Sequence, residues 1–113
     1  LNKTNVIKWI AINSEKAETV ASVCTGAFIL AEAGLLSGLN VTTHWEDIQD
    51  LRKSYPALSV IDGQRWVDEG KYLTSGGISA GIDMSLHLVS KLVGFELAET
   101  TAKQMEFEWR KNS

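Results

Sequence analysis

The hydrophobic positions of this chain switch period several times, and each switch predicts an element. Between Thr4 and about Ala17, Val6, Trp9, Ile10 and Asn13 recur at i, i+3, i+4 and i+7, with Lys8, Glu15 and Lys16 off that stripe. This spacing predicts an amphipathic helix capped by Thr4, with Trp9 as a core anchor. Val20 to Val23 is small or β-branched and predicts a buried strand. The segment after Cys24 is apolar nearly all round, with Glu32 its one charge, and predicts a central helix that Gly34 closes. Asn40 to Thr43 predicts a second strand ending at His44-Trp45. Glu46 to Ser54 predicts a short helix stopped by Tyr55-Pro56, and Leu58 to Ile61 a third strand. Arg65-Trp66-Val67 and Lys71 to Thr74 flank Asp68-Glu69-Gly70, the pattern of a hairpin. Ile82, Leu86, Val89 and Val93 predict the buried stripe of a further helix ended by Gly94, with Asp83 and His87 paired at i, i+4 on its surface. A last helix from near Glu96 places Ala98, Ala102, Met105 and Trp109 inward. This alternation predicts an α/β fold: a three-layer sandwich with a mainly parallel sheet.

Composition narrows the function classes. At 113 residues the chain holds one domain with a modest core. A net charge of −3, with both signs interspersed, leaves no footprint for nucleic acid and no polybasic membrane patch. No apolar run approaches the roughly 20 residues of a membrane span. A single cysteine makes no internal disulfide, which points to a reducing cytoplasm. One Cys and two His offer no metal cluster. Ser75-Gly76-Gly77 lacks the G-x-G-x-x-G spacing and no Walker lysine follows, so no cofactor is expected.

The chemistry gathers at Cys24, at a strand-to-helix junction. Such a turn raises the side chain above the sheet edge, where the first helical N–H groups and the positive end of the dipole favour a thiolate. A tight turn needs small residues on either side of the nucleophile, and Ser22 and Gly26 supply them, the logic of the G-x-S-x-G elbow with sulfur for oxygen. A lone cysteine is also commonly an inert small hydrophobe; the junction favours the nucleophile. In parallel sheets function collects at the carboxyl ends of strands. Cys24, His44 and the Ser75-Gly76-Gly77 loop all sit at such ends, so a thiolate–imidazole pair is one reading. A buried histidine bonded to a backbone group is the other reading of His44.

Residues Ala21 to Gly38, from Ser22-Val23-Cys24-Thr25-Gly26 onward, together with Val41-Thr42-Thr43-His44-Trp45, resemble the ThiJ/PfpI superfamily, the class I glutamine amidotransferase-like fold. Thr74-Ser75-Gly76-Gly77-Ile78-Ser79-Ala80-Gly81-Ile82-Asp83 resembles its second signature, and Met105-Glu106-Phe107-Glu108-Trp109 the tail of stand-alone members. Threonine after the cysteine resembles the isonitrile hydratase-like branch. The resemblance implies a Rossmann-like sandwich, usually a homodimer, acting on a small-molecule substrate. It implies Cys24 as nucleophile, Thr25 as a backbone donor to a developing anion, and His44 near the sulfur. It implies a pocket wall from Gly26, Ser75, Gly76, Gly77 and Ile78.

The family domain begins with further strands that carry an acid bonded to the cysteine, and no Asp or Glu here matches that acid. Residues 1–113 are therefore expected to be the C-terminal portion of one such domain, completed by a preceding segment or else by a partner, the first being favoured. The functional expectation is a cysteine-dependent hydratase or hydrolase, with isonitrile hydration to an N-substituted formamide in view. The alternatives are a regulatory domain, as in transcription regulators, and a redox-sensing or glyoxalase-like protein whose Cys24 is prone to oxidation.

Overall fold

In the computed structural model, which describes residues 3–110, the elements follow the expected alternation. They are α1 (Lys3–Lys16), β1 (Val20–Ser22), α2 (Gly26–Glu32), β2 (Asn40–Val41), a 3-10 turn (Trp45–Asp47), α3 (Ile48–Ser54), β3 (Ser59–Val60), β4 (Trp66–Asp68), β5 (Tyr72–Ser75), α4 (Ile78–Leu92) and α5 (Phe95–Gln104). One sheet has the order β1-β5-β4, and a second pairs β2 with β3. β1 runs parallel to β5, and β2 parallel to β3. The hairpin pairs β4 antiparallel to β5, with Val67 opposite Thr74.

Strand alternation divides the apolar side chains between two faces. Val20 and Tyr72, opposite each other in register, pack on the cluster of Ala27, Leu30 and Ala31 from α2 with Leu36, Val41 and Leu51. Leu73, one residue on, joins Trp66 and Met84 on the other face, under α4. Helices thus cover both faces and the fold is an α/β sandwich.

The expected inward faces hold in part: Leu86, Ala98 and Ala102 are buried as expected, while Trp9, Val93 and Met105 are exposed. Trp9 is 65% exposed; it lines a trough of about 420 Å³ between α1 and β1. In α4 the buried positions are Ala80, Gly81, Asp83, Met84 and Leu86, while Val93 is 69% exposed. The helix is rotated so that Met84 meets Trp66 and Leu73, and Ile82 and Val89 look into a groove shared with Thr101 and Met105. α5 stops at Gln104, and Glu106 takes a positive φ of 54° that breaks the helix. Met105 is therefore exposed, and Trp109 folds back with its ring 5.4 Å from that of Phe95.

The expected Asp83–His87 pair is replaced by two separate clusters. The Nε2 of His87 reaches Asp68 Oδ2 at 2.8 Å, and its ring stacks on Trp66 with centroids 4.1 Å apart. Lys91 Nζ lies 3.0 Å from the same carboxylate. Burial pushes the Asp68 carboxyl up, but bonds from His87, the Gly70 N–H and Lys91, with the Lys91 charge, outweigh it and hold it below its ordinary value. A carboxylate held down stabilises the fold above its unfolded-state pKa and loses that contribution as pH falls through the folded value. Asp68→Asn should therefore lower stability at neutral pH, and the gap to wild type should close below about pH 4. Urea titrations of both proteins from pH 7 to pH 3 read this; a gap that persists undiminished at pH 3 contradicts it.

Candidate active site

The local sequence makes the turn at Cys24 both tight and strained. Cys24 has a φ of 55°, the left-handed region that residues with a Cβ seldom occupy. Such a conformation persists only where its surroundings fix it. Here the Cys24 N–H is shared between the carbonyls of Ser75 (3.1 Å) and Gly76 (2.8 Å). The Cys24 carbonyl accepts the Thr43 hydroxyl at 2.7 Å. Ser75 Oγ donates to the Ser22 carbonyl at 2.9 Å, tying β5 to the strand that leads into the turn. Val23 is seated against α4 so closely that a Cβ on Gly81 would lie 2.8 Å from a Val23 methyl; only glycine permits that approach.

The elbow amides are unequally used. Gly26 donates back to the Val23 carbonyl at 3.0 Å, and Phe28 to that of Thr25. Among the described residues no carbonyl takes the Thr25 N–H, which opens α2 from an N-cap whose side chain makes no capping bond. The site thus pairs a half-buried free thiol with one uncommitted amide at a helix start, the parts needed for nucleophilic attack and for steadying the anion it creates.

The ring of His44 caps the 3-10 turn: Nδ1 accepts the Glu46 N–H at 3.2 Å, so the neutral imidazole carries its proton on Nε2. The carboxylates of Glu46 and Asp47 stand 3.9 and 3.8 Å from Nδ1. The ring stacks beside Trp45 and faces Gly77, where a Cβ would come within 3.6 Å of Cδ2. His44 is thus bonded to a backbone amide, but with its side chain 25% exposed it is not the buried histidine of that reading. It meets the cysteine through its neighbour Thr43 and through Gly77, next to the Gly76 that accepts from Cys24. Ser75 is fully buried, whereas Ile78 is 82% exposed. Gly76 and Gly77 line a hollow of about 240 Å³ with Thr43, Trp45 and Arg65; Gly26 opens instead on the trough along β1, with Ser22 and Ile29.

Two residues that hold the site were not singled out in the sequence. Thr43 is 2% exposed, and a hydroxyl buried at a strand end must find a partner; that signal was available. Arg65, whose carbonyl accepts the Gly76 N–H at 2.9 Å, gives none, because its partners lie 11 and 18 positions away. Among the described residues no cluster of His, Cys, Asp or Glu could hold a metal ion, and no helix is long and apolar enough to cross a membrane.

A model of the DJ-1/PfpI family matches residues 1–91. The isonitrile hydratase of Pseudomonas putida is 42% identical over 101 residues, covering 89% of this chain and 43% of that protein. The HTH-type transcriptional regulator CdhR of Pseudomonas aeruginosa is 37% identical over 99 residues, covering 88% of this chain and 29% of the regulator. In three dimensions a ThiJ/PfpI family protein from Pseudomonas syringae matches with a TM-score of 0.81 at 29% identity, over 94% of this chain and 43% of that one. Drosophila melanogaster DJ-1beta matches with a TM-score of 0.79 at 20% identity, over 93% and 59%, a likeness of fold. The chain spans less than half the length of these curated relatives.

Proposed function

The chain belongs to the DJ-1/PfpI family, and from that premise we propose that it carries the nucleophile of a cysteine-dependent hydratase or hydrolase acting on a small molecule, with an isonitrile as the substrate. The observation that supports this most is the strained Cys24, at a φ of 55° beside the uncommitted Thr25 N–H. In the proposed reaction the Cys24 thiolate adds to the terminal carbon of R–N≡C, forming a C–S bond. That carbon takes a proton, giving a thioimidate. Water then adds to the same carbon and one of its protons passes to nitrogen. The C–S bond breaks as the remaining hydroxyl proton returns to the group that protonated the carbon, which releases R–NH–CHO and restores both the thiolate and the proton donor. Across the cycle one water is consumed, its two hydrogens ending on carbon and nitrogen. The Thr25 N–H steadies the charge that develops in these steps, and His44, its ring fixed by the Glu46 amide, supports the loop at Gly77 from beside Thr43.

The proton donor is assigned to a preceding segment of the same domain. β1 lies at the edge of its sheet. The trough beside it exposes Trp9, Val23 and Ile29, and the buried Ser22 Oγ has no partner among the described residues. A further strand on that edge would cover the apolar surface and offer main-chain groups to Ser22. A homodimer in the reducing cytoplasm completes the reading.

The test is to incubate the intact protein with an alkyl isonitrile and follow the formyl proton by NMR. The expected result is N-alkylformamide formation that falls at least about a thousandfold in Cys24→Ala. Formamide production indifferent to that change contradicts the proposal. The likeness to CdhR favours a second reading, in which the domain senses a small molecule for an attached DNA-binding segment. Ligand binding by the intact protein with no turnover is what separates it from the first.

A further inference from the structure

We propose that Asp83 is the positioning residue of the Cys24 elbow, acting through Arg65 and Gly76. The inference deepens the nucleophile reading and takes its catalytic meaning from it, but its geometry stands apart. Asp83, in α4, is entirely buried. Its Oδ2 accepts two bonds from the Arg65 guanidinium, from Nε at 2.8 Å and Nη2 at 2.5 Å. Its Oδ1 accepts the main-chain N–H of Arg110 at 2.7 Å. Ser79 Oγ accepts from the same Nη2 at 3.3 Å.

A buried carboxylate with three such bonds fixes the guanidinium in one place. Arg65 closes the end of the hairpin. It lies just before β4, and its carbonyl accepts the Gly76 N–H at 2.9 Å, a bond that continues the β4–β5 register one pair beyond Trp66 with Ser75; the side-chain bonds to Asp83 give this last pair a second hold. The Gly76 carbonyl in turn accepts the Cys24 N–H at 2.8 Å. Gly76 packs directly against both neighbours, since a Cβ there would stand in van der Waals contact, 3.6 Å from the carbonyl oxygens of Arg65 and Thr43. Displacing Arg65 therefore displaces Gly76, and with it an acceptor that keeps Cys24 in its strained conformation. The clamp also ties the segment after α5 to the elbow through the Arg110 amide.

The test uses the intact protein with Asp83→Asn, which keeps size and an acceptor for Arg110 but loses the charge. Arg65→Lys, which keeps a charge but loses the fork, serves if the first variant does not fold. Amide hydrogen exchange is read residue by residue, and Cys24 alkylation by iodoacetamide is timed at pH 7. Exchange at Cys24 and Gly76 should accelerate tenfold or more while Ala27 to Ala31 in α2 keep their protection, and alkylation should fall toward the rate of the denatured chain. Unchanged exchange at Cys24 and Gly76, or acceleration spread evenly along the chain, overturns the inference. Selective acceleration in a protein whose wild-type Cys24 is no faster than the denatured thiol supports the clamp and removes the nucleophile reading. A reactive wild-type thiol with unmoved exchange in the variants does the reverse.

Discussion

Cys24→Gly is expected to give a more stable protein than Cys24→Ala, by roughly 0.5–1 kcal/mol, with both lacking the thiol chemistry altogether. The two effects oppose each other. A residue with a Cβ in the left-handed region carries about 1–2 kcal/mol of strain, and the φ of 55° at Cys24 is in that region. Glycine relieves the strain but raises the entropy of the unfolded chain, at a cost of about 0.4–1 kcal/mol relative to alanine. The strain term is the larger, so glycine wins. Paired urea unfolding curves at pH 7 measure the difference. Equal stabilities, or a more stable Cys24→Ala, would mean that Cys24 is not strained in solution and that the elbow is looser than described.

Leu73→Ala should have the largest effect on stability, about 2–5 kcal/mol, a large share of the roughly 5–15 kcal/mol available to a domain. Leu73 is fully buried in β5. It stands between Ala21 of β1 and Asp68 of β4 in register and packs with Trp66 and Met84. The cavity opens in the strand that ends at Ser75, so loss of order should reach the elbow as well. The denaturation midpoint should fall with little change in slope; a loss under 1 kcal/mol would place Leu73 outside the core.

What could be read from the chain beforehand follows the range of each interaction. The elbow was legible because its causes are local: small residues at Ser22 and Gly26, an apolar helix after Cys24, and glycine at 34. The hairpin at Asp68-Glu69-Gly70 was legible for the same reason. Helical periodicity announced an apolar face on α1 but could not say what that face meets; Trp9 faces the open side of β1 instead of the core. In α4 the expected stripe is kept at Leu86, which is buried, and lost at Val93, which is exposed, while Met84 is drawn onto the hairpin against Trp66 and Leu73. The i, i+4 spacing of Asp83 and His87 suggested a local pair, whereas each found a stronger partner 18 or 19 positions away, Arg65 and Asp68. The hydroxyl of Thr43 and the clamp on Arg65 depend on strands brought together only by the fold.

The measurement that bears most directly on the role of Cys24 is its rate of alkylation at pH 7 in the native intact protein, against the same protein denatured in urea. An ordinary thiol is only a few per cent thiolate at that pH, so the denatured chain supplies the unactivated reference. A native thiol activated by the elbow should react roughly tenfold faster than that reference. A native thiol that reacts no faster than the denatured one, or that reacts only after unfolding, would show Cys24 to be an inert packing residue and would contradict the nucleophile reading.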